Sequence, residues 1–399
     1  MPSYKLSHHI CILPLDEGHY TQTPLQYRKD HFILHDKRSN SDFLINSTIK
    51  YFLDKFLPAK TPEEVVREIA GDIQAGADQI KKTCRRFFRF LHKRKILIPA
   101  DQVEMEETGD RKDTLYKEND RVDGLLITKT MAASGCIDIY LALDETDRQL
   151  YVIKLLNPKN LSNPAQYNEE LADLEREYST LQHINHLPVI SHAYGFYRNS
   201  DQHAYIKLAY IDGRSLSRYI KEKPTLCWTD CVELISNTCQ AFAQLHAHNI
   251  VHGDIHPSNV LASEGNKIKI IDLGLALNRN IEKNELQSFG GANFYMPPER
   301  INLSSFNKFS RMPGFQSDVY QIGLLIYLVC YGQEPFTGFV WEELAKNIKE
   351  GRPAYPAQSF QGQPIPASLV KIMKKALHKN HRHRYKDANE LYQHISRLN

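Results

Sequence analysis

The run His252-Gly253-Asp254-Ile255-His256-Pro257-Ser258-Asn259-Val260-Leu261, followed by the strand-like Ile268–Ile271 and then Asp272-Leu273-Gly274, constrains this chain more than any other feature. It supplies three side chains of particular chemistry. An acceptor-only carboxylate can orient a hydroxyl, and carboxylate and amide oxygens suit a hard divalent cation. Asp254 fits the first task, and Asn259 and Asp272 fit the second. Phosphoryl transfer asks for both. One such aspartate would carry little weight, so the meaning depends on what lies upstream.

There the order of elements is specific. Leu125–Lys129 and Ile139–Leu143 read as strands around Met131-Ala132-Ala133-Ser134-Gly135-Cys136-Ile137. Asp144–Asp147 reads as a turn, and Leu150–Leu155 as a third strand ending in Tyr151-Val152-Ile153-Lys154. A lysine there is a chance surface residue unless something pairs it, because a buried ammonium is costly alone. The helix expected near Gln166–Ile184 carries Leu171, Leu174, Tyr178 and Leu181 on one stripe, with Glu177 beside it. Glu177 is the preferred partner of Lys154, since Leu181 follows it one turn later on that stripe. Glu175 is the neighbouring candidate.

From about residue 123 to the C-terminus the chain resembles a eukaryotic-type protein kinase domain. His252–Asn259 matches the H-R-D-L-x-x-x-N loop and Asp272-Leu273-Gly274 the D-F-G motif, with leucine for phenylalanine. Met296-Pro297-Pro298-Glu299 matches A-P-E, and Asp318-Val319-Tyr320-Gln321-Ile322-Gly323 resembles the start of the family's buried central helix. The resemblance implies a bilobal α+β fold, with a small β-rich N-lobe and a large helical C-lobe. It implies ATP and Mg2+ as cofactors. It implies Asp254, Lys154, Asn259 and His256 as catalytic residues, and Asn259 and Asp272 as metal ligands. The nucleotide would meet Ala132, Ser134, Gly135, Ile139, Val152, Lys154, Glu177 and Leu261. Leu208 would be the gatekeeper and Ala209–Ile211 the adenine-binding hinge, with Ala209 and Ile211 in contact. Arg384 sits where the family places the partner of Glu299.

Small-molecule kinases of the aminoglycoside and choline type share an H-G-D-x-H-P-x-N loop, but they lack the A-P-E segment and its arginine. That segment favours a protein or peptide substrate, most simply at serine or threonine. Small-molecule or precursor-peptide phosphorylation in a biosynthetic pathway is the rival enzyme reading.

Several positions depart from the family pattern. Gly135 alone stands where three glycines are usual, which predicts a looser or differently shaped phosphate lid. This keeps a pseudokinase scaffold in view, although Lys154, Asp254, Asn259 and Asp272 are all present. His256 replaces a lysine and Ala292 a threonine, both on the acceptor side of the family's site. A protonated His256 would donate to phosphate; otherwise it packs. Gly253 replaces the arginine that receives an activation-segment phosphate, and Asp272–Glu299 offers few hydroxyls, chiefly Ser288 and Tyr295. Activity without activation-segment phosphorylation is therefore expected.

The first hundred residues carry no catalytic motif. His31–His35 and Asp42–Ile45 read as short strands, followed by three helices and a closing strand at Ile96–Ile98. Asn46 or Ser47 caps the first helix, with Ile49, Phe52, Leu53 and Phe56 on one face. Thr61-Pro62-Glu63-Glu64 is a capping box opening the second, with Val65, Val66 and Ile69 behind it. The third, about Asp78–Arg94, has Ile80, Cys84, Phe87, Phe88 and Leu91 on one side and a basic face from Lys81 to Arg94.

This pattern is similar to the PqqD-like peptide-recognition domain of enzymes that modify ribosomally made peptides. A captured peptide would there add a strand to the sheet edge. A winged-helix DNA reader and a purely structural cap are the alternatives, and no arm or second basic patch supports nucleic acid. Domains are expected at 1–105, a small winged-helix-like α/β module, and 123–399, the kinase-like domain. The charged stretch Val103–Arg121 reads as an exposed linker, with its bounds set at 106–122 between the two domains.

Composition sets the outer bounds. A net charge of +3, with 42% apolar and 24% charged residues, describes an ordinary globular protein. The longest apolar stretch, Ile322–Tyr331, is too short to span a bilayer, and Met1–Leu15 lacks signal-peptide character. Seven scattered cysteines without metal spacing suit a reducing cytosol. A cytoplasmic location is expected, and the pattern gives no oligomeric state.

Overall fold

The computed structural model describes residues 3–7, 10–14, 31–36, 41–72, 88, 91–92, 96–100, 114–134, 136–161, 163–201, 203–223, 227–280, 295–301, 312–336 and 341–398. The chain divides into two compact units, Met1–Arg111 and Lys112–Asn399.

In the first unit, β1 (Tyr4–Leu6), β2 (Ile10–Pro14), β3 (His31–Asp36) and β4 (Ser41–Asn46) precede α1 (Ser47–Asp54) and α2 (Pro62–Asp72), and β5 (Leu97–Pro99) follows. The β3–β4 hairpin and both helices lie where the pattern puts them, with β4 running directly into α1. The two strands before them were not expected. β2 adds to β3 to give a three-stranded antiparallel sheet in the order β2-β3-β4, and β1 pairs with β5.

The Thr61 capping box opens α2: Thr61 N donates to Glu64 Oε2 at 2.7 Å, and Glu64 N donates to Thr61 Oγ1 at 3.3 Å. Phe52, Leu53, Phe56, Val65, Val66 and Ile69 are buried together with Leu91, Ile96 and Leu97. Of the expected third helix only Phe88, Leu91 and His92 are described, so its basic face lies outside the described residues.

The second unit opens with an antiparallel sheet. Its strands are β6 (Arg121–Val122), β7 (Leu125–Ser134), β8 (Ile137–Asp144) and β9 (Gln149–Leu156), with β10 (Ala193–Arg198) and β11 (Ala204–Ala209) entering after the long helix α3 (Pro164–Ile184). The spatial order is β10-β11-β9-β8-β7-β6. β7 and β8 extend further toward each other than expected, with Ser134 opposite Ile137, so the expected loop Met131–Ile137 is largely strand. Asn163 caps α3 through Gln166 N, and Pro164 occupies the first helical position.

The linker expected over 106–122 ends earlier than its composition implied. From Thr114 the chain packs on the sheet. Leu115 N donates to Asp138 Oδ2 at 2.8 Å, Tyr116 N to the Tyr140 hydroxyl at 3.0 Å, and β6 pairs with β7. Two apolar side chains, Leu115 and Tyr116, are enough to dock this charged stretch against the core of β7–β9.

The rest is mainly helical: β12 (Arg214–Ser215), α4 (Leu216–Glu222), α5 (Trp228–Ala247), β13 (Ile250–Val251), β14 (Val260–Ser263), β15 (Lys267–Ile270), β16 (Leu277–Asn278), α6 (Phe315–Tyr331), α7 (Trp341–Glu350), α8 (Ala367–Ala376) and α9 (Ala388–Ile395). The helix α6 is buried from Ser317 to Tyr331, which explains why its sequence is apolar all round. It stops at Gly332, whose φ of 67° provides the left-handed cap. Among the described residues no helix is long and apolar enough to cross a membrane. Cys136, Cys231, Cys239 and Cys330 are buried free thiols, and Cys227 is an exposed one.

Candidate active site

Strand register puts the first half of the site on one face of the sheet. Val152 and Lys154 alternate with buried Ile153 and Leu155, so they share the opposite face. Ile139 lies beside Lys154 on β8, Leu208 beside Val152 on β11, and Ala132 beside Ile139 on β7. Ile139, Val152, Leu208, Ala209, Ile211 and, from β14, Leu261 are half-buried, whereas Ala132 is exposed. Ser134 ends β7, and Gly135 lies outside the described residues.

Lys154 is buried and held by two acids. Its Nζ is 2.7 and 2.6 Å from the two oxygens of Glu177 and 2.8 Å from Asp272 Oδ1. Burial opposes its charge, but the two carboxylates outweigh burial and hold the ammonium above its ordinary range. Glu175 instead points outward, 3.8 Å from Arg198. Asp272 adopts a left-handed φ of 62°. The Lys154 ammonium holds its carboxyl down at about 2, so it stays ionised, with its side chain 47% exposed. Gly274 passes close to this cluster: a Cβ there would lie 3.3 Å from Asp272 Oδ1 and 3.4 Å from Glu177 Oε2. A larger side chain would crowd the ion pair.

Asp254 sits on a loop whose backbone is held from α6. His252 N and Gly253 N donate to the Asp318 carboxylate at 2.7 and 2.9 Å, and Ile255 N donates to Gln321 Oε1 at 3.2 Å. Asp318 is fully buried and also meets His246 Nε2 at 3.0 Å. His252 is itself buried, and burial pushes its imidazole below the ordinary range, so it is neutral. Its Nδ1 accepts from Asp254 N at 3.3 Å.

Asn259 Nδ2 donates to the Asp254 carbonyl at 3.1 Å, which fixes the amide plane and leaves its oxygen as the acceptor end. Asn259 and Asp272 thus offer hard oxygen donors of the kind that suit a divalent cation. His256 caps the turn Pro257–Asn259 through its Nδ1, and its Nε2 lies 3.6 Å from Asp254 Oδ2. It therefore packs beside the Asp254 carboxylate.

The Met296–Glu299 segment is tied down by Arg384. The guanidinium donates to both oxygens of Glu299 at 2.9 and 2.7 Å, and also to the carbonyls of Gln316 and His378. Ser317 Oγ adds a hydrogen bond to Glu299 at 2.9 Å. Tyr295 is buried, with its hydroxyl on Glu334 at 3.0 Å, so it is poorly placed as an acceptor of phosphate. Ser288 and Ala292 lie outside the described residues.

These motifs extend through most of the second unit. Residues 133–395 match the family model of the protein kinase domain. This chain belongs to the protein kinase family. The kinase domain is 26% identical over 273 residues to the probable serine/threonine-protein kinase PknB of Lactococcus lactis, covering 67% of this chain and 41% of that protein. It is 27% identical over 266 residues to the serine/threonine-protein kinase PknB of Mycobacterium tuberculosis, covering 64% and 40%. It is 26% identical over 266 residues to the serine/threonine-protein kinase PrkC of Bacillus subtilis, covering 66% and 39%. The chain thus spans about two fifths of the length of these relatives.

Sequence reading missed some residues that support the site. Asp318 and Gln321 were legible as the start of a helix, but not as acceptors for the catalytic-loop backbone. Asp138 was overlooked altogether. It occupies an inward position of β8, in line with Tyr140 and Ala142, and accepts from Leu115 N, Tyr140 and Asn157. Strand alternation was the available signal: a carboxylate in an inward register must anchor something.

Proposed function

We propose that this chain is an ATP- and magnesium-dependent protein kinase that transfers the γ-phosphoryl group to a serine or threonine hydroxyl of a protein or peptide. The observation that carries the reading is the Lys154–Glu177–Asp272 cluster on the same domain as an Asp254 loop braced by Asp318. In this reading Lys154, fixed by Glu177, orients the phosphates. Asp254 accepts a hydrogen bond from the acceptor hydroxyl and aims it for attack. Asp272 and Asn259 would hold the divalent cation, which neutralises charge building on the phosphate oxygens. His256 would face the transferred group from beside Asp254.

The Glu299–Arg384 pair and the serine/threonine kinases among the relatives favour a protein substrate over a small molecule. An intact set of Lys154, Glu177, Asp254, Asn259 and Asp272 argues against an inactive scaffold. The direct test is incubation with labelled ATP and magnesium, with the labelled acceptors identified by mass spectrometry. Label on serine or threonine of a protein is the expected result. Label confined to a small metabolite, or no ATP turnover at all, would reject it.

The first unit is proposed to capture the substrate as an added strand, in the manner of a PqqD-like, winged-helix-like domain. Among the described residues β4 forms one edge of its sheet, which suits β-augmentation. The remaining part of the 106–122 linker would keep a captured peptide near Asp254, raising its effective concentration. Deleting residues 1–105 should raise the KM for the natural acceptor about tenfold or more while ATP hydrolysis stays nearly intact. Loss of nucleotide binding on deletion would make the unit a structural cap instead. A shift of duplex DNA by the full chain, with no peptide bound, would favour a nucleic-acid reader.

A further inference from the structure

Gly253 precedes Asp254 where the kinase motif has an arginine, and the backbone explains why none could stand there. Its φ is +78°, and a Cβ would lie 2.8 Å from the Leu275 carbonyl and 3.2 Å from Pro313. Such a contact with backbone cannot be relieved by a rotamer change. A guanidinium nevertheless reaches this peptide from elsewhere. Arg300 is only 2% exposed, and its Nη1 donates to the Gly253 carbonyl at 2.8 Å.

Arg300 adjoins Glu299 in the short turn Pro298–Arg300. The two side chains part: Glu299 goes to Arg384, and Arg300 goes to the catalytic loop. Burial works against the Arg300 charge, and the carboxylates of Asp254, Asp318 and Glu299 act to retain it. An apolar side chain of similar length would fill this space at a smaller desolvation cost. What it could not do is hold the carbonyl just before Asp254. Asp318 already fixes the N–H groups of His252 and Gly253, and Arg300 fixes the carbonyl on the other side of Gly253, in the peptide that joins it to Asp254.

We infer that Arg300 is a positioning residue for Asp254, supplying from the end of the activation segment the charge that residue 253 cannot carry. The loop is then braced by a side chain of the chain itself, with no call on an activation-segment phosphate. This inference rests on the kinase reading.

Arg300→Met and Arg300→Lys test it in the full chain, with autophosphorylation from labelled ATP as the activity probe. Arg300→Met should lower kcat by about 30- to 100-fold, since small misplacements of a reacting group cost that much, with KM for ATP held within about threefold. Arg300→Lys, which keeps the charge and a donor able to serve the single Gly253 carbonyl on a shorter, non-planar head, should recover about a third or more of the loss on a logarithmic scale. Hydrogen exchange should quicken in Arg300→Met across residues 251–256 and little elsewhere. The inference is overturned if Arg300→Met keeps wild-type kcat and loop exchange. It is equally overturned if exchange quickens throughout the helical part and Arg300→Lys does no better than Arg300→Met, which would mark a purely structural residue. If the wild-type chain labels neither itself nor any other protein and turns over no ATP, the kinase reading fails, and loop exchange alone still decides whether Arg300 holds this peptide.

Discussion

Replacing Asp254 with asparagine is expected to lower phosphoryl transfer by about 10³-fold while leaving ATP affinity within about twofold. The geometry separates the two effects. The position of residue 254 is set through backbone contacts, from Asp318 and Gln321 on one side and Asn259 on the other, and none of these needs the Asp254 carboxylate. An isosteric amide therefore keeps the loop in place. What is lost is an acceptor-only group, because one end of an amide donates and cannot take the hydroxyl proton.

In the proposed reading nucleotide affinity rests on Lys154 and Asp272, which this change does not touch. Asp272→Asn should behave differently, weakening metal-dependent ATP binding as well as turnover, since Asp272 also pairs with Lys154 at 2.8 Å. Binding of a fluorescent ATP analogue, set beside single-turnover transfer, distinguishes the two variants. Wild-type turnover by Asp254→Asn would overturn the assignment. The Asp272 carboxyl is depressed to about 2, chiefly by Lys154, so it stays ionised and its share of binding should not vary with pH from neutral down to about 4.

The parts of this site that could be read from sequence are those that a short stretch of chain encodes alone. Lys154 ends an alternating strand, Glu177 lies on the inner side of an amphipathic helix, and Asp254, Asn259 and Asp272 keep fixed spacings around two short strands. Each placement needs only local periodicity. The supports were harder to see because they join distant stretches of chain. Asp318 reaches back to residues 252 and 253, and Arg300 to residue 253, and nothing in the local pattern of either announces its target.

The same reason hid β1, three residues that pair with Leu97–Pro99 from the far end of their unit. It also hid the docking of Leu115 and Tyr116. Composition averages a charged stretch and conceals two apolar anchors, whereas the sheet responds to each side chain singly. Gly253 was legible as a departure but not as a necessity. Only its left-handed backbone, pressed against Leu275, shows that the absence of arginine there is steric.

Breaking the Glu299–Arg384 pair should be the most damaging change outside the reacting groups. Arg384 has a fully buried side chain, and Glu299 is 11% exposed. The guanidinium uses its donors on both Glu299 oxygens and on the carbonyls of Gln316, His378 and Lys379, and it also stacks over Tyr320. Removing either partner leaves a buried charge with nothing to balance it, a loss of about 3–5 kcal/mol. For a domain of this size that lowers Tm by about 6–20 °C. Glu299→Ala should be at least as harmful as Glu299→Gln, because glutamine keeps an acceptor for the Ser317 hydroxyl and one guanidinium hydrogen bond. Arg384→Lys should rescue little, since a single ammonium cannot span both carboxylate oxygens.

The pH dependence has a fixed sign. Burial alone would raise the Glu299 carboxyl, but Arg384 overcomes this and holds it below the ordinary glutamate range. A depressed carboxyl stabilises the fold fully above its unfolded value, about 4.3, and the contribution falls away as pH drops through the lower folded value. The stability gap between wild type and Glu299→Gln should therefore be constant from neutral pH down to about 5 and narrow below about 4. Thermal or urea unfolding across that range measures it. A gap that stays constant to pH 3, or that is under 1 kcal/mol at neutral pH, would show that this pair does not anchor the segment.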